Sequence, residues 1–112
     1  KLTYPDEFFD VVVSFSAIEH IYNGDFLAAK EIGRICKKGG KIIIGTEINS
    51  ENKTVWHSGS YFYSENDLFE KIIKNTGCSI DYYDFSYENS DKNEEFSGLK
   101  YTSCIFLLYK DI

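Results

Sequence analysis

The chain has 112 residues, which is enough for one small domain and not for two. Hydrophobic residues make up 43% of it, a share that supports a folded core. The formal net charge of −6 argues against nucleic acid or an anionic membrane surface as a partner, because both require a basic protein surface. No apolar run approaches the length that spans a membrane.

The cysteines predict a reducing environment. All three are far apart in sequence, and each lies within an apolar stretch: Cys36, Cys78 and Cys104. An odd number with this spacing predicts buried, reduced thiols in a cytoplasmic protein, rather than a disulfide framework or a zinc site.

The first element is a strand. The run Val11–Val13 with Phe15 is short, continuous and β-branched, which predicts a strand over about residues 10–15, buried on both faces of a parallel sheet. Small polar residues, Ser14 and Ser16, lie at its carboxyl end, where open α/β sheets bind ligands. If the chain has a site, we expect residues 14–20 to form its floor. The sequence has no initiator methionine and enters this strand almost at once, which suggests a fragment of a longer protein.

The next segment predicts a helix beginning near Asp25. Apolar residues recur at helical spacing on one face: Ala28, Ala29, Ile32, Ile35 and Cys36. Lys37 and Lys38 suit the negative end of the helix dipole, and Gly39 is placed for a left-handed residue just past the helix end.

A second buried strand is predicted over residues 41–47 from the run Ile42–Ile44. A strand, a helix and a strand within about 40 residues form a βαβ unit, so these two strands should be parallel with a right-handed crossover. Residues 48–63 then form a long connection, polar at first and aromatic later. Loops of this length are often functional lids.

A second helix is predicted to begin at Ser64, with Asp67 in an approximate capping box, and to end at Gly77. A third strand follows over residues 78–87, with a bulge near Tyr82 because the apolar alternation slips there.

The last part of the chain predicts a mobile loop over residues 88–98 and a final strand over residues 101–109. The unbroken apolar run in this strand predicts burial on both faces. Because only a loop joins it to the strand before, the last two strands should be antiparallel.

Three sequence segments, taken in chain order, resemble the second half of a class I S-adenosylmethionine-dependent methyltransferase (methyltransferase type 11-like). They are Phe-Asp-Val-Val-Val at 9–13, Ile-Glu-His at 18–20 and Glu-Ile-Gly-Arg-Ile-Cys-Lys-Lys-Gly-Gly-Lys at 31–41. The family pattern runs FDvv, lEHl, then E..RvLkpGG. Residues 61–68 with Thr76-Gly77 are similar to its yfs.eeL and aGF segments. The resemblance covers about residues 2–110, and it implies that residues 1–112 are one unit, the C-terminal half of a methyltransferase domain.

The resemblance implies an α/β fold, a partial Rossmann-like methyltransferase sheet with strand order 4-5-7-6 and an antiparallel last strand. The N-terminal half of the family, with its Gly-rich cofactor turn, has no counterpart, and no G-x-G-x-G occurs. The strand over residues 10–15, normally central, would then lie at an edge. An exposed apolar edge is a pairing hazard. We therefore expect it to be covered by an upstream segment or by a second copy of the chain, as a homodimer.

The function implied by the resemblance is methyl transfer from S-adenosylmethionine to an oxygen, nitrogen or carbon of a small molecule. On this interpretation the 112-residue chain alone would bind the cofactor poorly and be inactive. The alternative is a non-catalytic, truncated module that acts in dimerisation or partner binding.

Five residues match family positions near the cofactor: Ser14, Phe15, Ser16, Ile18 and Glu19. For the first three the alternative is a plain strand end, and we favour the site. Ile18 could contact the adenine or belong only to the core. On the substrate side the candidates are Trp56, His57 and Tyr61, although aromatic residues in a loop more often anchor it to the core.

Glu19 and His20 have competing interpretations. His20 is the candidate general base. Some related enzymes carry an E-x-x-E-H metal motif, but Ser16 stands here in place of the first ligand, with His57 as a further candidate ligand. The structural alternative is that Glu19 and His20 tie their turn to the neighbouring strand. We predict no metal.

Overall fold

The computed structural model describes residues 3–49, 53–85, 94–96 and 99–112. The strands are β1 Phe9–Phe15, β2 Cys36–Asn49, β3 Val55–His57, β4 Ser60–Phe62, β5 Ser79–Phe85, β6 Glu94–Phe96 and β7 Leu99–Tyr109. Helix α1 is Asp25–Ile35, after a 3₁₀ turn at Ile18–His20. Helix α2 comprises an α turn at Glu65–Asp67, a π segment at Leu68–Ile73 and a 3₁₀ turn at Lys74–Thr76. No described helix is long and apolar enough to cross a membrane.

The main sheet has the order β1-β2-β7-β5, and β6 pairs with β7 outside this path. β1 and β2 are parallel, as the predicted βαβ unit requires, while β7 is antiparallel to both β2 and β5. The four main strands therefore have the neighbours that the resemblance implies, and the last strand is antiparallel to both of its neighbours, as predicted.

Helix α1 ends earlier than its apolar pattern predicts. Cys36 is extended, with φ −79° and ψ 136°, and pairs with Phe9 as the start of β2. The last carbonyls of the helix are taken by other groups, because the Glu7 and Phe8 amides donate to Arg34 and Ile35, both at 2.8 Å. The predicted helix end at residues 37–38 is therefore wrong. Gly39 has the predicted left-handed conformation, with φ +80°, but it lies within β2 and its amide donates to the Lys110 carbonyl.

Lys110 also closes the carboxyl end of α1. Its Nζ donates to the carbonyls of Gly33 and Cys36, both at 2.9 Å. A cation on the last carbonyls of a helix satisfies otherwise unpaired acceptors and opposes the helix dipole.

Lys110→Met is expected to lower the free energy of unfolding by about 1 to 2 kcal/mol, because it leaves these carbonyls without their charged donor. Urea unfolding followed by circular dichroism measures the change. Lys38→Met removes an exposed lysine near the same place and is the matched control. Equal losses in the two variants would show that Lys110 acts only through general surface charge.

The core lies on one face of the sheet only. α1 and α2 pack there against fully buried residues that include Ile42, Ile44 and Phe106. On the other face Val11 is 54% exposed, and Val13, Phe15 and Ile105 are exposed too. The predicted burial of residues 10–15 and 101–109 on both faces is therefore wrong for the described residues.

The topology explains the uncovered face. β5 is parallel to β2, because both are antiparallel to β7. The crossovers from β1 to β2 and from β2 to β5 thus run in the same direction across the sheet. Right-handed crossovers in one direction place both helices on the same side.

Helix α2 begins and ends as predicted. Ser64 Oγ accepts from the Asp67 amide at 3.2 Å, while Thr54 links the two residues by donating to Asp67 Oδ2 at 2.6 Å and accepting from the Ser64 amide at 3.1 Å. At the other end Gly77 is left-handed, with φ +71°.

The predicted bulge in β5 is confirmed as a register shift between Ile80 and Tyr82. Within the predicted loop 88–98, residues 94–96 form a strand instead. The remainder of that loop, and residues 86–87 of the predicted third strand, lie outside the described residues.

Candidate functional site

The carboxyl ends of β1 and β2 meet at one edge of the sheet. Phe15 pairs with Gly45, and the Ser16 amide donates to the Gly45 carbonyl at 3.0 Å. Ser16 has φ +51°, in the left-handed region that residues other than glycine rarely adopt. Such backbone conformations cluster at binding sites, where the surrounding structure maintains them. We call residues 14–16 with 45–46 the strand-end shelf.

The Phe15 ring lies across Gly45. A Cβ on Gly45 would be 2.4 Å from Phe15 Cδ1, so only glycine allows this position of the ring. Phe15 is 57% exposed and, with Ser16, Gly45 and Thr46, borders a cavity of about 250 Å³. The other lining residues come from β5 and β7: Asp84, Ser103, Cys104 and Ile105.

Sequence reasoning missed Gly45 and the lining from β5 and β7. A glycine directly after the run Ile42–Ile44 is a local sign of close approach and could have identified the first. Asp84 and Ser103 come into place only through the strand order, so no local signal identifies them.

The 3₁₀ turn carries Ile18 and Glu19 into the interior. Ile18 belongs to the core. Glu19 is 0% exposed, and neither carboxylate oxygen has a hydrogen-bond partner in the part of the chain that the structure describes. The same holds for Thr46 Oγ1, on the buried face of β2. The structural role suggested for Glu19, a tie to the neighbouring strand, is therefore not formed by a hydrogen bond to any described residue.

Burial also raises the pKa of two other side chains, the Cys104 thiol and the Tyr63 phenol. It raises the pKa of Cys104 to about 12, so this thiol is protonated near neutral pH and belongs to the core rather than to a reactive site. Burial and the hydrogen bond to Asp25 raise the pKa of Tyr63, so its hydroxyl stays a donor. The cysteines of the chain are free thiols.

Residues 48–63 contain a hairpin that sequence reasoning missed. β3 and β4 pair antiparallel with His57 opposite Ser60. Between them Ser58 and Gly59 both have positive φ, +50° and +80°. This two-residue turn is the one that suits the twist of a β-hairpin, and Ser-Gly between two aromatic segments was a readable signal for it.

Aromatic rings fix the hairpin to the turn before α1. Trp56 lies 4.7 Å from Tyr61 and 4.9 Å from Tyr22, measured between ring centroids. Tyr61 is only 7% exposed, and its hydroxyl accepts from the Asn23 amide at 3.1 Å. Of the three residues predicted on the substrate side, Tyr61 thus anchors the hairpin, while Trp56 keeps part of its surface open.

The two histidines point to different partners. His20 is exposed, and its Nδ1 lies 2.8 Å from the Gly59 carbonyl oxygen. His57 Nδ1 lies 2.7 Å from Ser58 Oγ. No three His, Cys, Asp or Glu side chains within the described ranges come together as metal ligands, so Glu19, His20 and His57 form no such set there.

Comparison with known proteins shows similarity to methyltransferases, in sequence over part of the chain and in fold along all of it. Residues 1–44 match a family model described as a methyltransferase domain. No curated protein matches the sequence. The resemblance to class I S-adenosylmethionine-dependent methyltransferases is thus confirmed, for the sequence within residues 1–44 and for the fold along the whole chain.

Three solved structures illustrate the fold. One is an S-adenosylmethionine-dependent methyltransferase of Methanosarcina mazei, with 15% identity, a TM-score of 0.69, and coverage of 100% of this chain and 64% of that one. Another is the O-methyltransferase of a Brevibacillus brevis polyketide synthase in complex with S-adenosyl-L-homocysteine, with 15% identity, a TM-score of 0.69, and coverage of 99% and 46%. The third is the [4+2]-cyclase SpnF, with 17% identity, a TM-score of 0.73, and coverage of 100% and 53%. The chain spans about half to two thirds of the length of these proteins.

Proposed function

We propose that the chain forms the carboxyl-end half of an S-adenosylmethionine-dependent methyltransferase site acting on a small molecule. The observation that carries the proposal is the strand-end shelf, built by the parallel strands β1 and β2 within and next to the residues that match the family model. Two solved structures with this fold hold S-adenosyl-L-homocysteine, the product of such a cofactor.

The chemistry of the groups on the shelf supports a cofactor-binding role. Ser14 and Ser16 offer hydroxyl groups, and the exposed Phe15 ring offers the face that attracts a cation such as a sulfonium. Glu19, which the resemblance assigns to the cofactor side, is fully buried, and neither of its oxygens has a hydrogen-bond partner among the described residues. When bound, the cofactor supplies an activated methyl group on its sulfonium sulfur.

His20 is proposed as the general base that accepts the proton of the acceptor group as the methyl carbon is attacked. Trp56 and His57 would line the acceptor, with Tyr61 holding their hairpin in place. Transfer of this kind depends mainly on alignment of nucleophile, methyl carbon and sulfur, so residues that position the acceptor carry most of the effect.

The remaining expectations stay predictions. β1 lies at the end of the strand order β1-β2-β7-β5, the edge position that was expected, but its cover, an upstream segment or a second copy in a homodimer, is a prediction. The cytoplasmic location is also a prediction. The alternative function, a non-catalytic module, has no observation of its own in its favour.

Titration of S-adenosyl-L-homocysteine into the 112-residue chain, and into the whole polypeptide that its gene encodes, tests the proposal by calorimetry. In a parallel titration with S-adenosylmethionine, whose sulfonium is the cation that the ring face attracts, Phe15→Ala is expected to raise the Kd about tenfold. Tyr82→Ala is the matched control, since Tyr82 is 58% exposed on β5 and lines no part of the cavity. The proposal fails if the whole polypeptide does not bind at millimolar ligand, or if the two variants lose the same affinity.

A further inference from the structure

The contact between His20 and the hairpin turn determines where the imidazole proton lies. A backbone carbonyl oxygen only accepts hydrogen bonds, so the 2.8 Å contact with Gly59 requires a proton on His20 Nδ1. In the neutral ring the other nitrogen, Nε2, then carries the lone pair. No described residue bonds to that nitrogen, and the side chain is exposed.

The hairpin holds the Gly59 carbonyl in a defined place. The turn has positive φ at Ser58 and Gly59, and the His57–Ser60 pair closes it. Position 59 strongly favours glycine because of its φ of +80°.

The hairpin is in turn fixed to the segment that carries His20. Its Tyr61 hydroxyl accepts from the Asn23 amide, three residues beyond His20. Tyr63, directly after the hairpin, donates to Asp25 Oδ2 at 2.6 Å. Lys71 Nζ lies 3.3 Å from Asp25 Oδ1 and 4.8 Å from the centre of the Tyr61 ring, so it contacts both sides of the junction.

From this geometry we infer that the β3–β4 hairpin is the positioning element of the site, and that the Gly59 carbonyl holds His20 as the tautomer with Nε2 free to accept a proton. The inference rests on the proposed function for its purpose, because a base must present an unprotonated nitrogen to the acceptor. Its structural content, the tautomer and its dependence on the hairpin, is independent of any cofactor. Gly59 acts through His20 and is a positioning residue.

The test is the tautomer itself, measured from the nitrogen chemical shifts of the imidazole rings in ¹⁵N-labelled protein without ligand. The pH should be about two units above the ordinary histidine pKa of about 6.5, where imidazole rings are neutral. The His20 signals are assigned by their loss in His20→Gln. In the wild type we expect the proton on Nδ1 and none on Nε2.

Two alanine variants separate the effect of the hairpin on His20 from the general effect of backbone strain. Gly59→Ala and Gly77→Ala both place a side chain at positive φ, +80° and +71°, and in both the new Cβ meets no atom within 4 Å. They therefore impose similar backbone strain, but only Gly59 contacts His20. We expect Gly59→Ala to give a mixture of the two tautomers and Gly77→Ala to leave the wild-type tautomer unchanged.

Two outcomes overturn the inference: a wild-type His20 protonated on Nε2, or a Gly59→Ala tautomer indistinguishable from that of Gly77→Ala. In the whole polypeptide, the methyl-transfer kcat of Gly59→Ala should fall in proportion to the fraction of rings that keep the proton on Nδ1, with KM unchanged. A wild type that shows the expected tautomer but no methyl transfer would remove the proposed function and leave the positioning of His20 in place.

Discussion

Gly33→Ala is expected to destabilise the fold by about 3 kcal/mol or more, and is one of the two largest effects that the structure predicts. The Cβ of an alanine at this position would lie 1.9 Å from the Thr76 carbonyl oxygen and 2.8 Å from its carbonyl carbon. The obstacle is backbone, so no side-chain rotation relieves it. α1 must move away from the end of α2, which opens the helical layer of the core.

The sign of the effect distinguishes this mechanism from helix propensity. Alanine in place of glycine within a helix normally stabilises by roughly 0.5 to 1 kcal/mol. The close approach of α1 to Thr76 therefore predicts a change opposite to that of an unhindered helix. Thermal and urea unfolding measure this loss of stability. The expected loss is a large share of the net stability of a domain, which is about 5 to 15 kcal/mol.

Lys30→Ala is the matched control, because Lys30 is exposed on the same helix and should change stability by less than about 0.5 kcal/mol. If Gly33→Ala were as stable as the wild type, α1 and α2 would not be packed as closely in solution as the structure shows.

The second large effect concerns two buried acids, whose replacement by the corresponding amides should change the free energy of unfolding in opposite directions. Glu19 and Asp25 are both 0% exposed. Asp25 accepts from the Tyr63 hydroxyl at 2.6 Å and lies 3.3 Å from Lys71 Nζ, close enough for charge pairing although not aligned as a hydrogen bond. Glu19 has no hydrogen-bond partner among the described residues. A buried carboxylate without donors costs several kcal/mol, whereas a paired one is stabilised by its partners.

Glu19→Gln is accordingly expected to raise the free energy of unfolding by about 1 to 3 kcal/mol, because an amide costs less to bury without partners than a carboxylate does and has nearly the same shape. Asp25→Asn is expected to lower it by about 2 kcal/mol, a figure that allows for the partial exposure of Lys71. Urea unfolding of both variants, without ligand, provides the comparison.

Ligand binding adds a second readout to the same pair. If Glu19 contacts the cofactor as proposed, Glu19→Gln gains stability and loses affinity for S-adenosyl-L-homocysteine together, a trade-off that is common at binding sites. A less stable Glu19→Gln would contradict the prediction and show that the carboxylate has a partner in solution.

Elements with local signals could be predicted from the sequence. The N-cap at Ser64 and the left-handed Gly77 depend on residues within one helical turn, and both are confirmed. The parallel pairing of β1 with β2 follows from hydrophobic periodicity and the handedness of crossovers, and it is confirmed as well. The hairpin over residues 55–62 also had a local signal, Ser58-Gly59, which the interpretation of the segment as an open connection overlooked.

Features that depend on distant residues could not be predicted. The end of α1 is set by Glu7, Phe8 and Lys110, which lie far from it in sequence. The contact of His20 with Gly59 joins residues 39 apart. The open face of the sheet was missed for another reason, because an apolar run has the same composition whether its outer face is covered or exposed.

The tie between Lys110 and α1 has a consequence for the order in which the chain folds. It joins residues 77 apart, and β7 lies between β2 and β5, both of which precede it in sequence. Contacts of such separation form late, because closing a long loop precedes any gain from them. During synthesis on the ribosome β2 therefore waits for its antiparallel neighbour until β7 has emerged. A chain stopped shortly before residue 99 would keep the βαβ unit but leave one side of β2 unpaired and α1 without its lysine cap.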